Sequence, residues 1–234
     1  MALSKFLDHK NDLAFRRILG TEKSKDILIH FLNYILGFAG VGKIKEIGFL
    51  STIQDPEIAS KKQSIVDVLC RDESGVQVTV EMQSAKTKGF GKRAQYYVAK
   101  AYSRQADKGD KYHNLKEIIF IVIADCILFP NKPGYKSDYV IQDKDTNEHD
   151  LKDFYFTFIE LSKFPKTKED QLENIVEKWI YFFKYAEETS EKELEKIIGS
   201  DLIIQNVFVI TKLYSNNNLM MLLKKVDKKA WKKI

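Results

Sequence analysis

Gln63-Ser64-Ile65-Val66-Asp67-Val68-Leu69-Cys70-Arg71-Asp72-Glu73-Ser74-Gly75-Val76-Gln77-Val78-Thr79-Val80-Glu81-Met82-Gln83 reads as two strands joined by a tight turn. The runs 63–71 and 76–83 are rich in β-branched residues, and Asp72-Glu73-Ser74-Gly75 separates them, which is a hairpin pattern. Side chains alternate along a strand, so Ile65, Asp67 and Leu69 share one face. On the second strand Gln77, Thr79, Glu81 and Gln83 share a face, with Val78, Val80 and Met82 on the other. A three-residue loop, Glu73-Ser74-Gly75 with Gly75 left-handed, sets the register. Asp72 then faces Val76, and counting back places Asp67 directly opposite Glu81. Directly opposed Cβ atoms lie about 4.5–5.5 Å apart. Two carboxylates at that spacing repel unless a cation lies between them or one takes a proton.

A hard divalent ion with oxygen ligands meets that requirement. Magnesium is typically held by one or two carboxylates, with waters and substrate phosphate completing its shell. Such an ion polarises a phosphoryl oxygen and lowers the pKa of an attacking water. The competing reading makes Asp67 and Glu81 exposed residues on a sheet face. Against it stands Ile65-Val66-Asp67-Val68-Leu69, where a carboxylate flanked by core residues is costly to bury without a partner.

Upstream, the first 36 residues read as helical. Leu13, Phe15, Ile18 and Leu19 make one apolar face, and Ile27, Leu28, Phe31, Leu32 and Ile35 repeat at helical spacing until Gly37. Ile44–Ser51 is a strand candidate. Downstream, a basic loop, Ala85–Gly91, leads into a helix expected over Lys92–Gln105 with Ala94, Tyr97 and Ala101 buried. Glu117–Ala124 is a continuous apolar run, as expected of a strand covered on both faces. The polar stretch Asn131–Asp150 reads as a long excursion, and Phe154–Leu161 as a last strand. After Pro165 the pattern turns helical, with capping-box signatures at Thr167-x-x-Asp170 and Ser190-x-x-Glu193. The order implies an α/β fold: a mixed-sheet core over 1–166 and a helical appendage over 167–234, whose independence as a domain stays open.

The totals fit a globular protein of 234 residues: 44% hydrophobic, 30% charged, 12% aromatic. The net charge of +5 suits a polyanionic partner only weakly. Two cysteines, Cys70 and Cys126, sit in apolar runs and read as small core residues rather than a disulfide framework. His9, His30, His113 and His149 are scattered, which argues against zinc. The first 12 residues lack an apolar signal core, and Ile118–Phe129 is too short to span a bilayer, so the chain is expected to be cytoplasmic and not membrane-bound.

Asp67 followed after thirteen residues by Glu81-Met82-Gln83 resembles the PD-(D/E)xK nuclease motif in its Glu-x-Gln form. More narrowly, the chain resembles the Rpn group of recombination-promoting nucleases and transposases. Lys10-Asn11-Asp12-x-x-Phe15, Lys25-Asp26-Ile27-Leu28 to Asn33, Val66-Asp67-Val68, Lys92-Arg93 to Tyr96-Tyr97, and Gln105 to Gly109 follow its pattern in order. The similarity runs from Lys10 to Phe183, and beyond Asn206 it is poor. The resemblance implies a restriction-endonuclease-like mixed sheet flanked by helices, a divalent metal (Mg2+ or Mn2+), and hydrolysis of DNA phosphodiesters in recombination or transposition. By that resemblance Asp67 and Glu81 would be metal ligands, with the Met82 carbonyl as a candidate third. Asp12 matches an acidic position on the first helix. Gln83 stands where the wider superfamily has lysine and cannot supply its charge; oriented toward water, it would act as a neutral substitute.

From Ser84 to Ala106 there are six basic residues and no acid. Lys86, Lys88, Lys92 and Arg93 open this stretch, where a loop running into a helix is suited to phosphate. The alternative is a solvated helix face. Tyr97 reads as core rather than as a base-stacking platform. The lysine-rich end, Lys224–Ile234, reads as a solvated tail, with a basic arm on DNA or a membrane-surface helix as alternatives. Gly37–Ile44 nearly fits a phosphate-binding loop but follows a helix and ends in Ile44 where Ser or Thr is needed. Asp125 is given no role. Beside the leading expectation of a metal-dependent DNA endonuclease, with a homodimer as one option, two others stay open. One is a catalytically inactive DNA-binding remnant of a mobile-element protein; the other is a helical interaction protein whose hairpin carboxylates are structural.

Overall fold

Periodicity accounts for the first layer. The computed structural model describes residues 12–54, 64–107 and 109–185, with positions 189, 197, 201, 203–204 and 206–207 beyond them. Helix α1 (Asp12–Leu19) and helix α2 (Lys25–Ile35) bury the predicted stripe: Phe15, Ile18, Leu19, Ile27, Leu28, Phe31, Leu32 and Ile35 are all in the core. Gly37, at φ +71°, ends α2. It allows Phe38 N–H to reach back to Asn33 O at 2.8 Å and Gly37 N–H to Tyr34 O at 3.3 Å, a paired closure that satisfies the last carbonyls. Asn33 itself is buried, and its amide exchanges two hydrogen bonds with the Ile44 backbone (2.8 and 2.9 Å), which ties α2 to the chain entering the sheet.

The hairpin forms in the expected register. Strands β4 (Val68–Asp72) and β5 (Gln77–Gln83) pair Val68 with Val80, Leu69 with Thr79, Cys70 with Val78 and Arg71 with Gln77. Gly75 has φ +95°, Asp72 N–H donates to Val76 O at 3.0 Å, and Asp72 Oδ1 accepts from the backbones of Ser74 and Val76. Ahead of them lie β1 (Ile47–Phe49), shorter than the expected 44–51, and the small pair β2 (Ile53–Gln54) and β3 (Ser64–Ile65).

Helix α3 (Phe90–Ser103) crosses from β5 to β6 (Ile118–Ala124), which runs parallel to it, as a helical crossover permits. The stretch expected to be an excursion contains a strand, β7 (Lys136–Val140), antiparallel to β8 (Phe154–Glu160) at the sheet margin. Its sequence, Lys-Ser-Asp-Tyr-Val, is too polar to read as a strand, but an edge strand pairs on one side only and is commonly charged. The six-stranded order is β1-β4-β5-β6-β8-β7, a mixed sheet with β5, β6 and β8 parallel. This is the restriction-endonuclease-like α/β architecture expected.

Helix α4 (Ile175–Tyr185) begins later than the Thr167 signature suggested. Asn174 Oδ1 caps it by accepting from Glu177 N–H at 3.0 Å, while Glu169–Gln171 forms only a short 3-10 turn. The Ser190 signature and the lysine-rich end lie outside the described residues. One face of the sheet, with Val68, Cys70, Val78, Val80, Met82, Ile119, Ile121 and Ile123, packs in one core with α1, α2 and α4. The other, with Ile118, Phe120, Val122 and Ala124, packs on α3. Cys70 is buried and Cys126 partly so, and both are free thiols; burial pushes the Cys70 pKa up to about 12, which leaves it inert. No helix among the described residues is long and apolar enough to cross a membrane.

Candidate functional site

The alternation that puts Val78, Val80 and Met82 against α1, α2 and α4 turns Glu81 and Gln83 toward α3. Asp67 sits in a bend just before β4, one step beyond the Val68–Val80 pair, and so next to Glu81. Met82 N–H donates to Asp67 Oδ2 at 2.9 Å, which fastens the bend to β5. Both carboxylates are buried, Asp67 at 7% and Glu81 at 5% exposure. Two buried acids in one place require cationic neighbours.

Two arginines from opposite layers provide them. Arg16 on α1 donates through Nε (3.1 Å) and a terminal nitrogen (3.0 Å) to the same Asp67 oxygen, Oδ1. Gly20, just after α1, makes this approach possible. A Cβ there would lie 2.7 Å from Arg16 O, a clash with the last turn of α1 itself, and 3.3 Å from Val68 Cγ2, tighter than ordinary contact, so a side chain would disturb the chain just after Arg16. Arg93 on α3 lies 3.7 Å from Glu81 Oε2, an ion pair beyond hydrogen-bonding distance. The same Arg93 nitrogen donates to Gln83 Oε1 at 2.8 Å. The Gln83 amide nitrogen donates to Ala85 O and to Thr87 Oγ1, so this side chain holds the loop 85–87 and the guanidinium together. Phe90 and Tyr97 flank Arg93, with its guanidinium carbon 4.7 and 5.9 Å from their ring centroids. Burial and the nearby Glu81 charge raise the Tyr97 phenol above its ordinary pKa.

Asp67, Glu81, Gln83 and Arg93 therefore meet at one end of the sheet. Lys86, Lys88 and Lys92 are exposed on the adjoining loop and helix start. The Met82 N–H faces Asp67, whereas Gln83 O faces β6 and accepts from Asp125 N–H at 2.9 Å. Because N–H and C=O of one strand residue lie on the same side, the Met82 carbonyl also faces the Asp67 side, past the end of the β4–β5 ladder. Asp12 opens α1 one turn before Arg16; its side chain lies outside the described residues. Tyr97 is half-buried against Phe120, closer to the core reading than to a stacking platform. Sequence reasoning missed Arg16. The available signal was its spacing of four from Asp12, but a helical arginine gives no indication of which strand it meets.

The donor set suits a hard ion: two carboxylates on neighbouring strands, and a carbonyl on the same side. Among the described residues no group of three or more His, Cys, Asp or Glu is placed to hold a metal ion, so an ion here would take the rest of its shell from water and substrate. Both Arg16 nitrogens address one oxygen of Asp67, so that contact is not a two-pronged bridge.

No curated protein and no solved structure matches the chain. A family model does, that of the PD-(D/E)XK nuclease family transposases, over residues 9–233, which extends past the Lys10–Phe183 span of the resemblance and takes in the region beyond Asn206 where it was expected to be poor. With that span, and with the motif acids meeting at one end of a mixed sheet, the chain belongs to the PD-(D/E)XK nuclease family transposases.

Proposed function

We propose that this nuclease-family chain hydrolyses DNA phosphodiester bonds with a divalent ion, Mg2+ or Mn2+, held by Asp67 and Glu81, with the Met82 carbonyl as a third donor. The observation that carries this reading is the burial of two acids from neighbouring strands at one sheet end, each met by an arginine from a different helix layer. A purely structural pair would gain nothing from that arrangement, since apolar residues of similar volume are often as stable as a buried ion pair or more so. When bound, the ion supplies positive charge to a phosphoryl oxygen and makes an attacking water more acidic.

The chain's own residues supply placement. Asp67 and Glu81 fix the donor oxygens on a rigid hairpin. Lys86, Lys88 and Lys92, exposed beside that end of the sheet, draw the DNA backbone by charge alone, with no reading of bases. Asp12, which opens α1 four residues before Arg16, is a further candidate acid. The test is nicking of supercoiled plasmid in magnesium, manganese or chelator, with Asp67→Asn and Glu81→Gln beside the wild type. Cleavage that needs the ion and vanishes in both variants, while each variant still unfolds cooperatively well above the assay temperature, supports the reading. Salt-sensitive DNA binding without cleavage under any metal would select the inactive DNA-binding remnant instead.

A further inference from the structure

The Glu81-Met82-Gln83 strand contains no cation, and Gln83 is engaged at both ends of its amide by protein groups. Among the described residues the cation that meets Gln83 is Arg93, at 2.8 Å. We propose that Arg93, presented from α3 and aimed by Gln83, is the catalytic cation of this site: it donates to a non-bridging oxygen of the scissile phosphate as negative charge builds there. This rests on the Asp67–Glu81 reading above.

Several observations separate Arg93 from the lysines around it. Lys86, Lys88 and Lys92 are exposed, whereas the Arg93 side chain is 38% exposed and held on three sides. Gln83 Oε1 accepts from one terminal nitrogen at 2.8 Å, and that nitrogen lies 3.7 Å from Glu81 Oε2. The aromatic faces of Phe90 and Tyr97 restrict the guanidinium further. One nitrogen thus meets the two protein acceptors recorded for Arg93 among the described residues. The guanidinium has five N–H donors, so its remaining donors stay available to a planar, charged acceptor. A group meant only to neutralise Glu81 would make the short contact to the carboxylate, not to the neutral amide.

The backbone supports the same aim. Gly89 takes φ +80° immediately before α3, and Arg93 N–H closes the first turn onto Gly89 O at 3.0 Å. Gln83 also fastens Ala85 and Thr87, so the loop that starts α3 and the side chain of Arg93 are anchored by one residue. Gln83 is accordingly a positioning residue. In the reaction a water oxygen bonds to phosphorus and the bond from phosphorus to the leaving sugar oxygen breaks. The water loses a proton to solvent, and the leaving oxygen takes one up. Arg93 exchanges no proton; it stays charged throughout, because a guanidinium does not deprotonate in this range. Its hydrogen bond strengthens as the phosphate oxygens gain charge, which is what lowers a barrier rather than merely binding substrate.

The experiment compares single-turnover cleavage of plasmid by the full chain and by Arg93→Ala, Arg93→Gln, Gln83→Ala and the double variant Gln83→Lys/Arg93→Ala. Affinity for a short duplex is measured for each change in an Asp67→Asn background, and melting temperature checks folding. Loss of one preorganised transition-state donor costs on the order of 10²–10³ in rate. We expect that loss in Arg93→Ala and Arg93→Gln with duplex affinity changed less than about tenfold. Gln83→Ala should lose roughly tenfold through a less well-aimed guanidinium. Gln83→Lys should recover at least about tenfold in the Arg93→Ala background, since it returns a cation to the same face of the strand. Should one of the two Arg93 variants fail to fold, the other carries the comparison. Wild-type cleavage with Arg93 variants that melt normally and cut at the wild-type rate, or that lose only affinity, would overturn the proposal and leave the Asp67–Glu81 site standing. A wild type that cuts under no metal removes the site and Arg93 together.

Discussion

Arg16 is the natural place to perturb the site without touching its acids. In the metal-free protein its guanidinium balances Asp67, so Arg16→Ala leaves a buried carboxylate with one backbone N–H as its recorded donor. Breaking a fully buried pair costs about 3–5 kcal/mol, and an exposed pair about 0–1. The Asp67 side chain is 8% exposed and that of Arg16 38%, so solvent screens one partner only. An intermediate loss of about 1–3 kcal/mol follows. For a domain of this size each kcal/mol moves the melting temperature by roughly 2–4 °C, so Arg16→Ala should melt about 2–12 °C lower in chelator. Magnesium changes the comparison. If Asp67 holds the ion as proposed, the ion must compete with the arginine in the wild type but not in Arg16→Ala. The stability gained on adding the ion should therefore be larger in the variant by up to the same 1–3 kcal/mol, roughly a 5- to 150-fold gain in metal affinity. Differential scanning fluorimetry across a magnesium series reads both quantities. Equal melting of the two proteins in chelator, or a magnesium gain no larger in Arg16→Ala, would refute the assignment of Arg16 as the counter-charge at the proposed metal position.

Three further outcomes are expected. Alanine at Lys86, Lys88 and Lys92 together should weaken binding to all duplexes alike and flatten the log–log salt dependence by about 0.9 per lost phosphate contact; an unchanged slope would make these lysines a solvated face. His30 accepts from Trp179 Nε1–H at Nδ1 (3.1 Å) and meets Asp201 through Nε2 (3.1 Å), and burial lowers its pKa below 6.5 despite the opposing pull of Asp201 and with a small push from Lys43. Since the unfolded chain then binds the extra proton first, this contribution is complete above about pH 6.5 and is lost as pH falls through the folded pKa. Chemical denaturation of His30→Gln should accordingly show a flatter stability profile below that pH, and an identical profile would count against the linkage. Glu160 is fully buried; it accepts from Leu128 and Phe129 N–H and pairs with Lys163 at 2.7 Å. Glu160→Gln leaves Lys163 uncompensated and should cost about 3–5 kcal/mol in denaturant unfolding, with a loss under 1 kcal/mol arguing that the pair is dispensable.

The residues differ in how far their neighbours in sequence foretold their surroundings. The register of β4 on β5 could be read because it depends on a short-range event: Gly75 in the left-handed region and the Asp72 side chain folding over its own turn. Once that turn is set, the adjacency of Asp67 and Glu81 follows from strand alternation alone. The buried stripe of α2 and its closure at Gly37 are equally local, as is the doubly covered strand β6. The edge strand β7 was not legible, because it pairs with β8 across an intervening loop and carries no apolar alternation of its own.

The cations at the site belong to that second kind. Arg16 reaches Asp67 across 51 positions of chain, and the packing of α1 beside Val68, with Gly20 next to that side chain, brings them together. Arg93 was visible as part of a basic run, but nothing in that run distinguishes it from Lys92 beside it. The distinction comes from the face that α3 lays on the sheet: successive helix residues point in different directions, so Arg93 meets Gln83 while Lys92 stays exposed. Hydrogen bonds within a turn and the twofold alternation of a strand are written in adjacent residues, so the acidic pair could be derived from sequence. Which charge answers each acid depends on how separate layers pack, and packing is set by the shape of the whole core rather than by any stretch of the chain.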